Sequence, residues 1–374
     1  MSETVTPARE TGTNEAAVPA PRRGRGLPGF LNRSTRLRHL VLAVLAGVVL
    51  FLLTQQLDPF RNFQLATVAA YLCATAGLTL LVGMNGQLSL GHGALMAVGA
   101  YTVALTQNAL ADRGITGNQV LPLSLALGVL VTMAAGAVIG LAAARLRGPY
   151  LAGVTLAVAV AVPAATVTFD EVFNSEQGLS VAVEPPPLSL GLYFPNERWR
   201  AWVALTGALL TMLLLANLVR SRVGRNLRAV RDDEVAARLA GIHVGRTQVL
   251  AFVVSAASAG LGGGLLALLA QSVSPGAFSL TLSLFLLMAV VIGGLGSLSG
   301  AVWGAILLVA LPDLTHDSAQ LVSLPPAVAQ RLEGNLPLAV FGLTLIVVMI
   351  AAPGGVQGLL RRIGARARRR APAR

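Results

Sequence analysis

Ten apolar runs follow one another through this sequence, near positions 38–54, 63–83, 92–109, 120–144, 149–169, 200–219, 248–270, 279–295, 299–312 and 336–352. About 20 helical residues cross the ~30 Å of hydrocarbon in a bilayer, and most of these runs come close to that length. The chain is 55% hydrophobic and only 12% charged, with a mean hydropathy of +0.71, outside the range of soluble domains. The runs are continuous rather than alternating in ten-residue units, which excludes a membrane β-barrel. The expected fold class is an all-α polytopic membrane protein with eight to ten transmembrane helices. The spread in that count comes from 299–312, short enough to be a half-helix.

Charge placement predicts the orientation. All 28 basic residues are Arg and none is Lys. A Walker A phosphate loop requires a Lys after its second Gly, so the chain does not hydrolyse ATP by that route. A pI near 11.4 would suit nucleic acid, but the Arg residues lie beside and between apolar runs. Anionic lipid and the positive-inside bias account for them, and no nucleic-acid partner is expected. With a cytoplasmic N-terminus, 23 Arg fall inside: the seven from Arg9 to Arg38, Arg145 and Arg147, seven between 220 and 246, and seven in the tail from Arg361. Arg61, Arg113, Arg198, Arg200 and Arg331 fall outside. The reverse orientation would invert the rule, so both termini are predicted to face the cytoplasm of a bacterial cell. The domains expected are a disordered tail at 1–35, a permease domain at 36–354 and a basic tail at 355–374. The loop 170–199, with five acids and Pro185, Pro186 and Pro187, is predicted outside. The first residues lack a signal-peptide layout. Cys73 stands alone in an apolar run, so no disulfide framework or Cys-based metal site is expected.

One polar stretch interrupts the spans. Between Arg220 and Arg246 the chain carries seven Arg and, at its centre, Asp232-Asp233-Glu234-Val235-Ala236-Ala237-Arg238-Leu239-Ala240-Gly241-Ile242. This reads as one short helix, with acids where the helix dipole favours them and Gly241 at the left-handed cap position. Val235, Leu239 and Ile242 fall at i, i+4 and i+7 and should share a face. So short a helix is marginal alone in water, which implies a docking partner. A second feature is 83–94, where Asn85, Gln87, Ser89 and His92 alternate with four Gly. Two readings stand side by side: a re-entrant segment lining a translocation route, or a tight turn followed by a close-packed helix. A partial echo, Gly296-Ser297-Leu298-Ser299-Gly300-Ala301, sits at a like-oriented turn, hinting at an internal repeat and adding Ser297 and Ser299 to the candidate path. The glycines at 260–264 lie inside an apolar run with no preceding strand and read as close helix packing. The four His are scattered and no carboxylate lies mid-span, so a catalytic or metal site, a cofactor, and ion-coupled transport are not expected.

At these residues the chain resembles a family. LLVGMNGQLSLGHGALMAVGAYT (80–102), GRNLRAVRDDEVAARLAGIHVGRTQVLAFVVSAASAGLGGGLLAL (224–268) and SLFLLMAVVIGGLGSLSGAVWGAILL (283–308) are similar to LivM-type permeases, the membrane subunits of branched-chain amino-acid ABC importers. The resemblance implies a type II importer fold, a second homologous permease subunit, two cytoplasmic ATPase subunits and an extracytoplasmic binding protein. It places the ATPase-coupling motif at Glu234, Ala236, Ala237 and Gly241, with Val235 between the acid and the Ala pair. Arg231, Asp232, Leu239 and Ile242 complete the expected coupling surface. Urea and short amides are alternative substrates within the family, and a stand-alone channel or facilitator is the rival from another class. The orientation is checked by labelling a Ser180→Cys variant in a Cys73→Ser background with an impermeant maleimide. Reaction in intact cells is expected, and reaction only after permeabilisation overturns the assignment.

Overall fold

Helix boundaries follow local chemistry. The computed structural model describes residues 35–321 (except 116, 118, 147, 184 and 192) and 339–370 (except 341, 351 and 353). Its helices are α1 (Thr35–Gln56), α2 (Pro59–Leu78), α3 (His92–Asp112), α4 (Val120–Ala143), α5 (Pro149–Thr168), the short α6 (Asp170–Phe173), α7 (Asn196–Arg220), α8 (Arg222–Asp232), α9 (Glu234–Leu239), α10 (Val244–Ala270), α11 (Leu280–Gly293), α12 (Leu298–Leu321) and α13 (Gly355–Arg370). Asp58 opens α2: its side chain accepts from the Arg61 N–H at 3.1 Å, and Pro59, which has no N–H to satisfy, takes the first helical position. α2 does not stop at Leu78 but continues through a π-helical turn, Thr79–Met84.

Among the described residues nine helices are long and apolar enough to cross a membrane, and the chain is an all-α multi-pass membrane protein. The span expected at 299–312 is apolar only over Leu298–Asp313, inside α12, which carries Pro312 within it. The span expected at 336–352 lies within Gly342–Ile363 where described. Most of the expected basic tail is α13. The expected disordered segment up to residue 34, together with Arg147, Glu184 and Arg331, lies outside the described residues.

α10 is the hub. Its glycines let backbones approach where a side chain would not fit: a Cβ on Gly263 would overlap the Met96 carbonyl of α3, and one on Gly262 would lie 2.6 Å from the Ala70 carbonyl of α2. A Cβ on Gly260 would overlap the Thr132 hydroxyl of α4. Lipid is as apolar as a Leu side chain, so close van der Waals approach is what holds membrane helices together. The glycine run predicted to pack helices does so against three neighbours. α1 is the opposite case. It faces lipid along most of its length and is clasped to antiparallel α7 at both ends, by His39 Nδ1 and Asn217 Oδ1 (2.7 Å) and by hydrogen bonds from Trp202 Nε1 to Thr54 Oγ1 (2.9 Å) and from Arg198 to Gln55 (3.0 Å).

Two helices begin beside the interior of a neighbour rather than at its end. α3 and α10 run side by side, with His92 beside Ser255 and Val103 beside Gly264. Ser255 lies 11 residues after Val244, ~16 Å along a helix of ~40 Å, so α3 starts well along α10. α11 has 14 residues, ~21 Å, and it reaches spanning length only together with the 3-10 turn Pro275–Phe278 ahead of it, as Pro275–Gly293. Its Ser283 touches Gly93 at the same depth. Irregular chain leads into both: 86–91 runs from the Arg-rich face to α3, and 271–279, which includes the 3-10 turn Pro275–Phe278, runs from the opposite face to α11. The descending stretch contains β2 (Ser272–Val273), paired antiparallel with β1 (Leu179–Ser180), and Asn108 of α3 bonds the Ser180 carbonyl and the Ala182 N–H. Residues 179–182 of the 170–199 loop are thus tied down over the end of α3.

The glycine contacts set a contrast that denaturant or thermal unfolding of the chain in detergent checks. Gly263→Ala should destabilise by ~1–3 kcal/mol through overpacking. Gly153→Ala, in α5 with nothing within 4 Å of its added Cβ, should be neutral or stabilise by up to ~1 kcal/mol.

Candidate coupling and gating site

The Arg-rich segment between α7 and α10 folds as two helices, and the short helix predicted over 232–242 is the second of them, starting at Glu234. Ser221 caps α8, its Oγ accepting from the Val223 N–H at 3.1 Å. Gly224, Leu227 and Val230 are buried on one face of α8, while Arg228 folds back onto the Gly224 and Val219 carbonyls. At Asp233 the backbone turns extended (φ −158°, ψ 113°), and Asp233 Oδ1 accepts from the Val235 and Ala236 N–H groups at 2.8 and 3.0 Å. That capping bond ends one helix and starts the next. Asp232, expected within the coupling helix, is therefore the last residue of α8, where it pairs with Arg231 at 3.3 Å.

α9 closes on Gly241 (φ +80°), with the Gly241 N–H donating to the Arg238 carbonyl and the Ile242 N–H to the Ala237 carbonyl, both at 3.0 Å. Here the left-handed cap sits where the sequence placed it. The expected three-residue face divides. Val235 is 66% exposed and Leu239 86% exposed, whereas Ile242, beyond the helix end, turns back to pack with Val230, Ala237 and Val244. The reversal of the chain at Gly241 removes the helical register on which the i+7 position relied. Ala236 gives its N–H to the cap, and Ala237 is buried where α9 meets α8 and α10. Glu234 reaches α10, its Oε1 accepting from Gln248 Nε2 at 3.1 Å, and it pairs with Arg238 at 3.5 Å. A polar cleft of about 490 Å³, lined by Glu234, Arg238, His243, Arg246 and Gln248, opens beside the exposed pair.

Arg231 joins this hairpin to the broken stretch. Its Nη1 donates to the Gly83 carbonyl at 2.5 Å, and a Cβ on Gly86 would come within 2.8 Å of its Cγ. The Gly296 backbone meets Gly83 from the other side, so the two echo turns touch at Arg231. From there the polar residues of 85–94 point into protein. Asn85 Nδ2 donates to Gln87 Oε1 at 2.7 Å. His92 lies between Ser89 Oγ (3.1 Å to Nδ1) and Ser255 Oγ (2.7 Å to Nε2). The freed backbone is answered by hydroxyls: the Leu90 N–H donates to Thr155 Oγ1 at 3.0 Å and the Gly93 N–H to Ser283 Oγ at 2.9 Å. Non-helical backbone at membrane depth requires such partners. The chain turns here and then packs closely, with its polar groups buried against α5, α10 and α11. Asn85, Gln87, Ser89 and His92 are buried. Ser297 and Ser299 are not brought to them. They bond each other at 2.8 Å across the start of α12, where Arg361 of α13 reaches Ser297.

Sequence reasoning passed over Asp233 as a cap, Gln248 as the anchor of Glu234, and Ser255, Thr155 and Ser283 as partners of the broken segment. An Asp before an apolar run was available as a signal for the first. Hydroxyls scattered over three helices give no local pattern for the rest.

The comparisons agree with this anatomy. The family described as "Branched-chain amino acid transport system / permease component" matches residues 62–352, a stretch that holds the glycine hub, both extended segments and the hairpin but leaves out α1. The high-affinity branched-chain amino acid transport system permease proteins LivM of Salmonella typhimurium and Escherichia coli are each 34% identical over 270 residues, 66% of this chain and 61% of theirs. The chain thus spans about three-fifths of the length of these relatives. The permease protein LivH of E. coli is 28% identical over 251 residues, 64% of this chain and 80% of its own. No solved structure matches. With the family match running through every element of the site, the chain belongs to the permease components of branched-chain amino acid transport systems.

Proposed function

We propose that the chain is a membrane-spanning permease subunit of an ATP-driven ABC importer that moves branched-chain amino acids across a bacterial inner membrane. The names of the LivM and LivH relatives support the substrate class, and similarity to both supports assembly with a second, homologous permease subunit. The other partners are two ATPase subunits on the Arg-rich face and a binding protein on the opposite face. By the Arg bias, the Arg-rich face and both termini are cytoplasmic.

The observation that carries the reading is α9. This six-residue helix is capped at both ends, anchored to α10 through Glu234 and Gln248, and presents Val235 and Leu239 to solvent. Apolar anchors supply most of the energy of a helix seated in a groove, and flanking charges set orientation. Val235 and Leu239 are the anchors for an ATPase groove, with Glu234 and Arg238 at the rim. Ala236 and Ala237 keep the helix slim against α10, and Gly241 and Ile242 fix its far end. Arg231 then carries displacement of α8 and α9 to the Gly83 carbonyl, at the end of the π-helical turn. Such turns often mark functional hinges, and 85–91, the stretch leading to His92, follows directly. In this reading Asn85, Gln87, Ser89 and His92 set the moving wall of the route, while Ser297 and Ser299 brace the neighbouring turn.

Two variants separate docking from transmission. Leu239→Asp should leave the stability of the isolated chain unchanged, because the side chain is exposed. Against an ATPase groove it would bury an unpaired charge at ~3–5 kcal/mol, so the ATPases should no longer co-purify and uptake should fall to background. Arg231→Gln should keep the ATPases bound and hydrolysing while uptake of labelled leucine into reconstituted vesicles falls at least ~10-fold, the order of one lost charge-assisted hydrogen bond. Normal ATPase capture and transport by Leu239→Asp sinks the coupling assignment and favours a facilitator. Uptake of urea or a short amide in place of leucine leaves the coupling intact and reassigns the substrate.

A further inference from the structure

On the side of α10 away from the broken segment, α4 and α7 stand apart over it and leave a cleft of about 1050 Å³. Its floor is the α10 stretch from Val254 to Leu265 and its walls are Leu, Val and Met side chains of α4 and α7. The floor spans 11 residue steps, ~17 Å, and the α7 wall runs 19 steps from Trp199 to Leu218, ~29 Å, long enough for an extended acyl chain. The cleft starts at the face opposite the Arg-rich one, where Leu121, Trp199 and Leu265 lie near the ends of their helices, and it runs inward. Its few hydroxyls are already used: Thr206 donates to the Trp202 carbonyl, Thr211 bonds Cys73 Sγ, and Ser258 donates to the Val254 carbonyl. It therefore offers hydrocarbon contact and no hydrogen bonds.

The mouth differs. A smaller cavity shares Leu121, Trp199, Val203 and Leu265 with the cleft and is lined also by Arg200. Arg200 is half-buried in the first turns of α7 and, among the described residues, has no hydrogen bond or ion pair. A guanidinium in the first turns of a spanning helix, above a long apolar channel, has the polarity profile of a phospholipid. Trp199 beside it is of the residue type that favours the headgroup level. A helix of another subunit would more naturally meet small residues or interhelical hydrogen bonds, and the walls here provide neither beyond Gly207 and a few Ala. We propose that this cleft is a binding site for one anionic phospholipid of the leaflet opposite the Arg-rich face, its acyl chains lying along α10 and its phosphate on Arg200.

The test uses the full-length chain, with the subunits that co-purify with it, in phosphatidylcholine vesicles doped with a phosphatidylglycerol carrying a diazirine on its acyl chain. After irradiation, adducts should concentrate on peptides containing Val129, Leu210 or Leu261 rather than on lipid-facing α1. Unlabelled phosphatidylglycerol should compete better than phosphatidylcholine, and Arg200→Gln should remove that preference, about five-fold for one interfacial Arg. Gly207→Phe should fill the cleft and lower its labelling several-fold with α1 labelling unchanged. Should that variant misfold, the Arg200→Gln competition decides alone. Cleft labelling no greater than that of α1, or equal competition by the two lipids in the wild type, overturns the proposal. Labelling of the cleft in the isolated chain but not in the assembly also overturns it, by showing that a partner helix covers this face.

Discussion

In hydrocarbon no water is available to satisfy an exposed N–H or C=O, and no hydrophobic force draws one helix to another. Both demands converge on α10. Its glycines bring α2, α3 and α4 within backbone contact, and its Ser255 holds the ring that lies at the start of α3. The close approach is what makes the breaks in α3 and α11 tolerable. With the helices this near, single hydroxyls from α5 and α11 reach the N–H groups that the broken ladder leaves free. A wider packing would strand those groups in lipid.

The same economy explains the Arg-rich hairpin. A helix of six residues does not persist by propensity, and α9 does so through four local devices: the Asp233 cap, the Gly241 reversal, the buried Ala237 and the Glu234 anchor. Ala237 and Glu234 lie on the side turned to the protein, and Asp233 and Gly241 close the two ends. The outward side is left with Val235 and Leu239, rigidly held. Arg231 belongs to the same unit but points the other way, to Gly83, so one short element addresses both the aqueous side and the broken helix.

Periodicity and continuity made the spans readable. Runs of apolar residues as long as 120–144 have one interpretation, and a cap such as Gly241 is set by its own neighbours. The break in the coupling segment was not readable. Asp232 and Asp233 look equivalent as letters, and only the geometry of the chain arriving from α8 decides that the second caps and the first ends a helix. The face predicted for Val235, Leu239 and Ile242 failed for a related reason: a period of 3.6 was carried one residue past the glycine that stops it. The polar residues of 83–94 drew attention correctly, yet their partners Thr155, Ser255 and Ser283 lie 60 to 190 positions away, and no local pattern announces such pairings.

The attachment of α1 bears on how the protein is made. Its two clasps, to Asn217 at one end and to Trp202 and Arg198 at the other, involve a helix synthesised some 140 residues later. Until α7 leaves the ribosome, α1 lacks the partners that α7 supplies to His39, Thr54 and Gln55 and rests in lipid on its unbroken apolar surface. The first described span is thus the first to insert and among the last to dock. During that interval its polar ends, rather than its length, are the points at which biogenesis is exposed to error.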